Sequence, residues 1–392
     1  MREDSTAPST SGDAPSRPLR LLVVSHLYPS DGKRSWGVFV REQIGALGDA
    51  AEATLVVGRY TPRAGRAPAF PPANGRLVEV DLPWVRWLPS FLKVAWAVPA
   101  YYAGALRAAR AQERPFDVVH AFYGFPDGVV GIMLGRKLGL PVVVTLLGAD
   151  FNRQLARPGA GGIIGRLLSR ARFIIGVSSG IVDGMRERFV LSERQVVRLP
   201  NGYNDSEIRV HAPRRAEYFL FVASLIPRKN PDVLLRAYAG IAAEVPLDLV
   251  IVGDGPMMGQ LREMVRELGI GSRVRFEGER DHSELDGYLA KAAAYVLPSS
   301  SEGLAVAVNE ALASGTPVIA TDIPGTREQV TSEALGYLVP VGDAEALAEA
   351  LLRAARTPWD HARIAAECGV LTWREHGREL LRIYREAAEG AG

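Results

Sequence analysis

The sequence predicts an α/β protein of two doubly wound domains, each a parallel sheet with helices on both faces. Three observations point there. At 392 residues and 47% hydrophobic, the chain exceeds one ordinary core, and two domains of roughly 150 to 200 residues are expected. Short β-branched runs alternate with amphipathic helical patterns from residue 19 onward, the order of strands joined by helical crossovers. A polar, turn-rich stretch, "PNGYNDSEIRVHAPRR" (200–215), interrupts that alternation, which then restarts.

Residues 1–17, "MREDSTAPSTSGDAPSR", are rich in Ser and Pro and lack the apolar core of a secretory signal, so they read as a disordered leader. The first domain, residues 18–205, carries the strand runs "LRLLVV", "ATLVV", "RLVEV", "FDVVHA", "PVVVTLL", "RFIIGV" and "QVVRL". Residues 206–215 form the linker. The second domain, residues 216–370, repeats the pattern with "EYFLFVAS", "LDLVIVG", "RVRFEG", "AAYVLP", "TPVIAT" and "GYLVP". Residues 371–392 read as a helix that returns toward the first domain.

Charge narrows the function classes. Lys and Arg number 46 against 44 Asp and Glu, a net charge of +2, so no global field favours nucleic acid. The single cysteine, Cys368, has no partner for an internal disulfide or a Cys-based metal site, which suits a reducing cytoplasm. No run reaches the ~18 apolar residues of a membrane span. The nearest, residues 83–110, holds Trp84, Trp87 and Trp96 but is broken by Arg86, Pro89, Lys93 and Pro99. It fits a core helix with its leading loop, and it also fits a surface resting on a membrane.

Doubly wound domains bind ligands outside the carboxyl ends of their strands. His120 ends "DVVH", Asp150 follows "PVVVTLL", "VGDGP" follows "LDLVIV", and "PSSSEG" follows "AAYVLP". Neither GxGxxG nor a P-loop occurs, which argues against a dehydrogenase or an NTPase. The last of these stretches continues as "SSSEGLAVAVNEALASGTPV" (299–318). A helix starting near Gly303 to Ala305 turns its free N–H groups and positive dipole end to the cleft, where small residues let a phosphate approach. Glu302 then stands at the mouth and Glu310 about two turns on, roughly 12 Å at 1.5 Å per residue. A nucleotide sugar, with hydroxyls on both sides of its diphosphate, matches two such carboxylates; a dipole-complementing Glu302 and a solvated Glu310 match the spacing as well.

The block "PSSSEGLAVAVNEALASGTPVIATDIPGTREQV" resembles the E-x7-E segment of retaining glycosyltransferases of family 4, which have the GT-B fold of two facing Rossmann-like domains with a cleft between them. "SWGVFVREQIGAL", "DVVHAFYGFPDG", "TLLGAD", "VVRLPNGYN", "FVASLIPRKNPDVLLRAY" and "VGDGP" follow the family's order, so the likeness spans nearly the whole chain. It implies that Glu310 binds the donor ribose, Glu302 the hydroxyls of the transferred sugar, and the main chain of Gly303, Leu304, Ala305 and Val306 the diphosphate. Lys229 would neutralise the leaving diphosphate, His120 would sit near the sugar, Gly37 would lie in the closing loop, and Asp150 on the acceptor side. Alone, Lys229 also fits an exposed helix start, His120 a buried histidine, and Asp150 a helix cap.

There are departures. Ala223 and Ser224 stand where many members have Gly-Arg, which removes one cationic phosphate contact; Arg228 is the compensating candidate. Ala305 replaces a common Gly, and Asn204 a common Asp. The reaction implied is transfer of a sugar from a UDP-sugar to an unknown hydroxyl acceptor of cell-surface polysaccharide, glycolipid or natural-product type, with retention and with no metal or cofactor. A sugar-nucleotide epimerase lacks support beyond the shared architecture, and a periplasmic-type binding protein needs an export signal.

Overall fold

The structure, a computed structural model, describes residues 17–29, 37–60, 75–83, 90–211 and 216–390. The described strands form two wholly parallel sheets. The first contains β1 (Leu19–Ser25), β2 (Ala51–Arg59), β3 (Gly75–Asp81), β4 (Val118–Phe122), β5 (Val142–Leu146), β6 (Phe173–Gly176) and β7 (Val196–Arg198), in the order β3-β2-β1-β4-β5-β6-β7. The second contains β8 (Tyr218–Val222), β9 (Asp248–Val252), β10 (Val274–Gly278), β11 (Ala292–Leu297), β12 (Val318–Thr321) and β13 (Gly336–Val339), in the order β10-β9-β8-β11-β12-β13.

Central strands are buried on both faces, which is why they read as largely apolar runs rather than alternating ones. Strand order reverses between β1 and β4 and again between β8 and β11. At such switch points the loops on either side diverge and leave a crevice at the carboxyl edge.

One face of the first sheet packs on the helix Ser90–Arg110 through Tyr101 and Ala105. That helix also exposes Leu92 and Trp96, the latter 64% accessible, so it serves as core on one side and surface on the other. Trp84 and Trp87 lie outside the described residues, and no described helix is long and apolar enough to cross a membrane.

The other face is covered by the helix Trp373–Glu389, whose Leu380, Ile383, Tyr384 and Ala387 are buried beside Phe122 and Val143. A capping box starts that helix: Glu375 N–H donates to Thr372 Oγ1 at 3.1 Å, and Thr372 N–H donates to the Glu375 carboxylate at 2.8 Å. The chain therefore crosses between domains twice, and the crossings touch where Tyr203 bridges Thr372.

Candidate active site

The E-x7-E segment leaves β11 as an extended loop and becomes helical at Val306–Ala313. Across from it, the chain leaving β8 makes a tight turn at Pro227–Lys229. Asn230 closes that turn with a left-handed φ of 47° and donates from Nδ2 to the Pro298 carbonyl at 2.9 Å. Ser300 N–H donates to the Arg228 carbonyl at 2.8 Å. These bonds hold the two loops in register.

Their side chains meet. Lys229 Nζ lies 2.6 Å from Glu302 Oε1 and Arg228 Nη1 lies 3.0 Å from Glu302 Oε2, so one carboxylate holds two cations. Burial opposes the Glu302 charge, yet Lys229 and Arg228 outweigh it and keep the carboxyl below its usual range. Burial also pulls the Lys229 ammonium below its ordinary value, an effect Glu302 only partly offsets. The result is a pair of cations parked beside the positive end of a helix, a favourable place for a diphosphate.

The helix start is partly committed. Ala305 N–H donates to Gln329 Oε1 at 3.3 Å, Gln329 Nε2 donates back to the Ala305 carbonyl at 2.8 Å, and Val308 and Asn309 N–H also donate to that carbonyl, which leaves the N–H groups of Val306 and Ala307 available to a ligand. Leu304 and Ala305 are buried. Gly303 abuts the first domain: a side chain there would overlap the Leu147 carbonyl, and one at Gly148 would overlap the Gly303 backbone. Asn152 Nδ2 donates to Ser301 Oγ at 3.2 Å across the same gap. The cleft is thus nearly closed beside the start of the helix Val306–Ala313.

Glu310 lies further along the helix, only 3% exposed at the side chain, with Oε1 at 2.6 Å from His282 Nε2. The other ring nitrogen of His282 is 2.7 Å from Glu207 Oε2. Hydrogen bonding to Glu310 leads the causes that raise the His282 pKa to about 9, so the ring is a cation at neutral pH.

These arrangements, two facing parallel domains and paired carboxylates on the cleft side of the second, agree with comparisons to known proteins. Residues 36–202 match the family described as "Glycosyl transferase 4-like domain", and residues 205–367 match "Glycosyl transferases group 1". A D-inositol 3-phosphate glycosyltransferase of Frankia alni is 31% identical over 331 residues, 76% of this chain and 81% of that one. The chain belongs to glycosyltransferase family 4.

The family's GT-B fold is evident in solved structures too. A sucrose-phosphate synthase of Thermosynechococcus elongatus superposes with a TM-score of 0.76 at 23% identity, covering 95% of this chain and 100% of that one. HepE of Anabaena, solved with UDP and glucose, gives 0.72 at 16% identity, covering 94% and 99%. As a family 4 glycosyltransferase, the protein transfers a glycosyl group from a nucleotide-sugar donor.

Not every residue singled out in the sequence reaches the cleft. Lys229, Arg228, Glu302 and Gly303 converge, and Ser224 is exposed at the end of β8. Gly37, with φ 69°, presses on the Leu27–Tyr28 backbone, where a Cβ would stand 2.5 Å from the Leu27 carbonyl carbon.

His120 is a correction. It sits within β4, paired in register with Val23 and Val143, and is fully buried. Its Nδ1 meets Tyr384 Oη at 2.6 Å and its Nε2 meets Thr145 Oγ1 at 2.8 Å, so neither nitrogen is left for a sugar. Burial drops its pKa to about 3. The side chain points into the layer under the carboxyl-terminal helix, a direction set by strand alternation.

Asp150 is likewise fully buried, and it accepts main-chain N–H bonds from Gly124, Leu147, Gly148 and Phe151 at 2.9 to 3.2 Å. It builds the loop that carries Gly148 and offers no oxygen to solvent.

Two groups had no reading in the sequence. His282 joins carboxylates 75 and 28 positions away. His26, just past β1, contacts the buried Asp127, which also accepts from Tyr101 Oη at 3.0 Å. The pattern "DHSE" closes in the structure as a capping box that puts His282 on a turn, but no local pattern announces either histidine's partners.

Proposed function

We propose that the protein moves a sugar from a UDP-sugar to an acceptor hydroxyl with retention of anomeric configuration, and without a metal or other cofactor. The observation that carries this reading is the Lys229–Glu302–Arg228 cluster at the start of the helix Val306–Ala313. As the anomeric C–O bond breaks, its electron pair collects on the departing diphosphate, and preorganised cations and helix N–H groups stabilise that charge. The acceptor oxygen bonds to the anomeric carbon on the same face, and its proton passes to the diphosphate. Glu302, released from the cations by the arriving diphosphate, turns to the sugar hydroxyls, and Glu310 receives the ribose.

Nearness to relatives named for inositol 3-phosphate makes that polyol phosphate the first acceptor to try. A membrane-resting role for residues 83–110 belongs to the same reading. The helix Ser90–Arg110 has no acidic residue, carries Lys93, Arg107 and Arg110, and exposes Leu92 and Trp96.

The test is incubation with UDP-, GDP- and ADP-sugars, with and without inositol 3-phosphate, followed by NMR of the product's anomeric proton. Free UDP with an anomer matching the donor supports the reading. An isomerised donor means an epimerase, and saturable binding with unchanged donor means a binding protein.

A further inference from the structure

Glu310 is nearly inaccessible and carries one strong bond, from His282, while its Oε2 accepts no hydrogen bond among the described residues. A carboxylate free to rotate would present ribose hydroxyls with an average of orientations. Here one oxygen is pinned at 2.6 Å and the other is left to accept.

The pin is itself anchored. His282 Nδ1 reaches Glu207, which lies at the edge of the segment joining the domains. The two carboxylates come from the helix Val306–Ala313 and from the interdomain segment. On the histidine's own turn, Asp281 and Glu284 close a capping box, in which Asp281 N–H donates to Glu284 Oε1 at 3.2 Å. A second-layer group that orients a ligand-binding carboxylate and is itself held from behind is a recurrent way of fixing a site.

We infer that His282 is the positioning residue for the donor's nucleoside: bridging Glu207 and Glu310 through its two ring nitrogens, it aims the Glu310 carboxylate at the ribose hydroxyls. The inference rests on the donor reading above. It also makes the interdomain segment part of the donor site, because Glu207 belongs to that segment.

Calorimetry with UDP, GDP and ADP tests it without knowledge of sugar or acceptor. His282→Ala weakens binding of the preferred nucleoside diphosphate about ten- to a hundredfold, the worth of a hydrogen bond to a charged group. His282→Arg, which also donates to both carboxylates, recovers part of the loss, and Glu207→Gln falls between parent and His282→Ala. With donor saturating, kcat of each variant stays near the parent's while the donor KM rises. Because the ring's pKa lies about 9, above its ordinary value, the imidazolium is present at pH 7 and lost as pH rises through 9. The parent's advantage over His282→Gln therefore shrinks across that range; ionisation of the base is common to both proteins and cancels.

Equal affinity in parent, His282→Ala and His282→Gln overturns the inference, as does an advantage that persists unchanged well above pH 9. A parent that binds none of the three nucleoside diphosphates overturns the donor reading itself. If His282→Ala fails to fold, His282→Gln and Glu207→Gln carry the same comparison.

Discussion

At the scale of single residues, the chemistry depends on where two cations rest before substrate arrives. Lys229 and Arg228 share Glu302, so one carboxylate offsets half of the site's positive charge and the cluster keeps a net single positive charge. In the proposed reaction a diphosphate that enters competes for them, and the growing charge on the leaving oxygen tips the contest in the transition state. Lys229→Ala is therefore expected to cut turnover about 100- to 1,000-fold at saturating donor, the range for removing one preorganised donor. Lys229→Arg should recover only part, since a planar fork differs from a compact ammonium. Ser224 is exposed just past the carboxyl end of β8, on the same stretch that leads into the Pro227–Lys229 turn. Ser224→Arg should then partly restore the alanine variant. A Lys229→Ala enzyme within about threefold of the parent, far short of that range, means that Arg228 and the helix suffice.

At the scale of elements, the loop after β5 and the start of the signature helix meet backbone to backbone. Gly148, at φ 109°, and Gly303 permit that approach because neither has a side chain. Gly303→Ala forces the two loops apart, and a displacement on the order of 1 Å at reacting groups costs about a hundredfold in rate. Turnover should fall by that order and UDP affinity by less, since on the proposed reading Glu310 holds the ribose further along the helix. Unaltered turnover would sink the idea that closure at this point matters.

Strand β4 supports a different experiment, on stability. The folded protein keeps His120 neutral down to about pH 3, whereas the unfolded chain protonates it near its ordinary 6.5. The unfolded state thus binds the extra proton between those values, so this contribution is present above pH 6.5 and lost as pH falls. One proton corresponds to about 1.4 kcal/mol per pH unit. His376, also neutral and pushed down to about 4 by burial, adds to the slope. Urea midpoints measured from pH 7 to pH 4 should drop less steeply for His120→Asn than for the parent; equal slopes would contradict the assignment.

At the scale of the whole molecule, several contacts among the described residues tie the two domains together. The carboxyl-terminal helix lies on the first sheet, the E-x7-E loop abuts the loop after β5, and Glu328 of the second domain accepts from Ser179 Oγ, Gly180 N–H and Arg198 Nε, each at 3.1 Å. On its far side, the first domain turns the acid-free helix Ser90–Arg110 outward with Trp96 exposed. If that surface rests on a membrane, vesicles containing anionic lipid should pellet the parent, and Leu92→Ser with Trp96→Ser should release it without loss of donor hydrolysis. An unmodified protein that stays in the supernatant with such vesicles removes the membrane contact.

What the sequence by itself determined was the repeat of strand and helix, since each described strand falls on a short apolar run and the central ones are buried along their whole length. It also determined the loops where chemistry collects, because the carboxyl edge of a parallel sheet is set by chain direction alone. Glu302, Lys229 and Arg228 were legible from local motif and position. The tertiary structure decided the partners. Strand alternation turned His120 into the core, where Tyr384 arrives from 264 positions away. Loop closure spent Asp150 on main-chain N–H groups, and the interdomain segment brought Glu207 to His282. Local spacing records which face a residue takes only where an element's own period continues through it; which distant group stands opposite depends on how the sheets and crossings pack, and that information is spread over the whole chain.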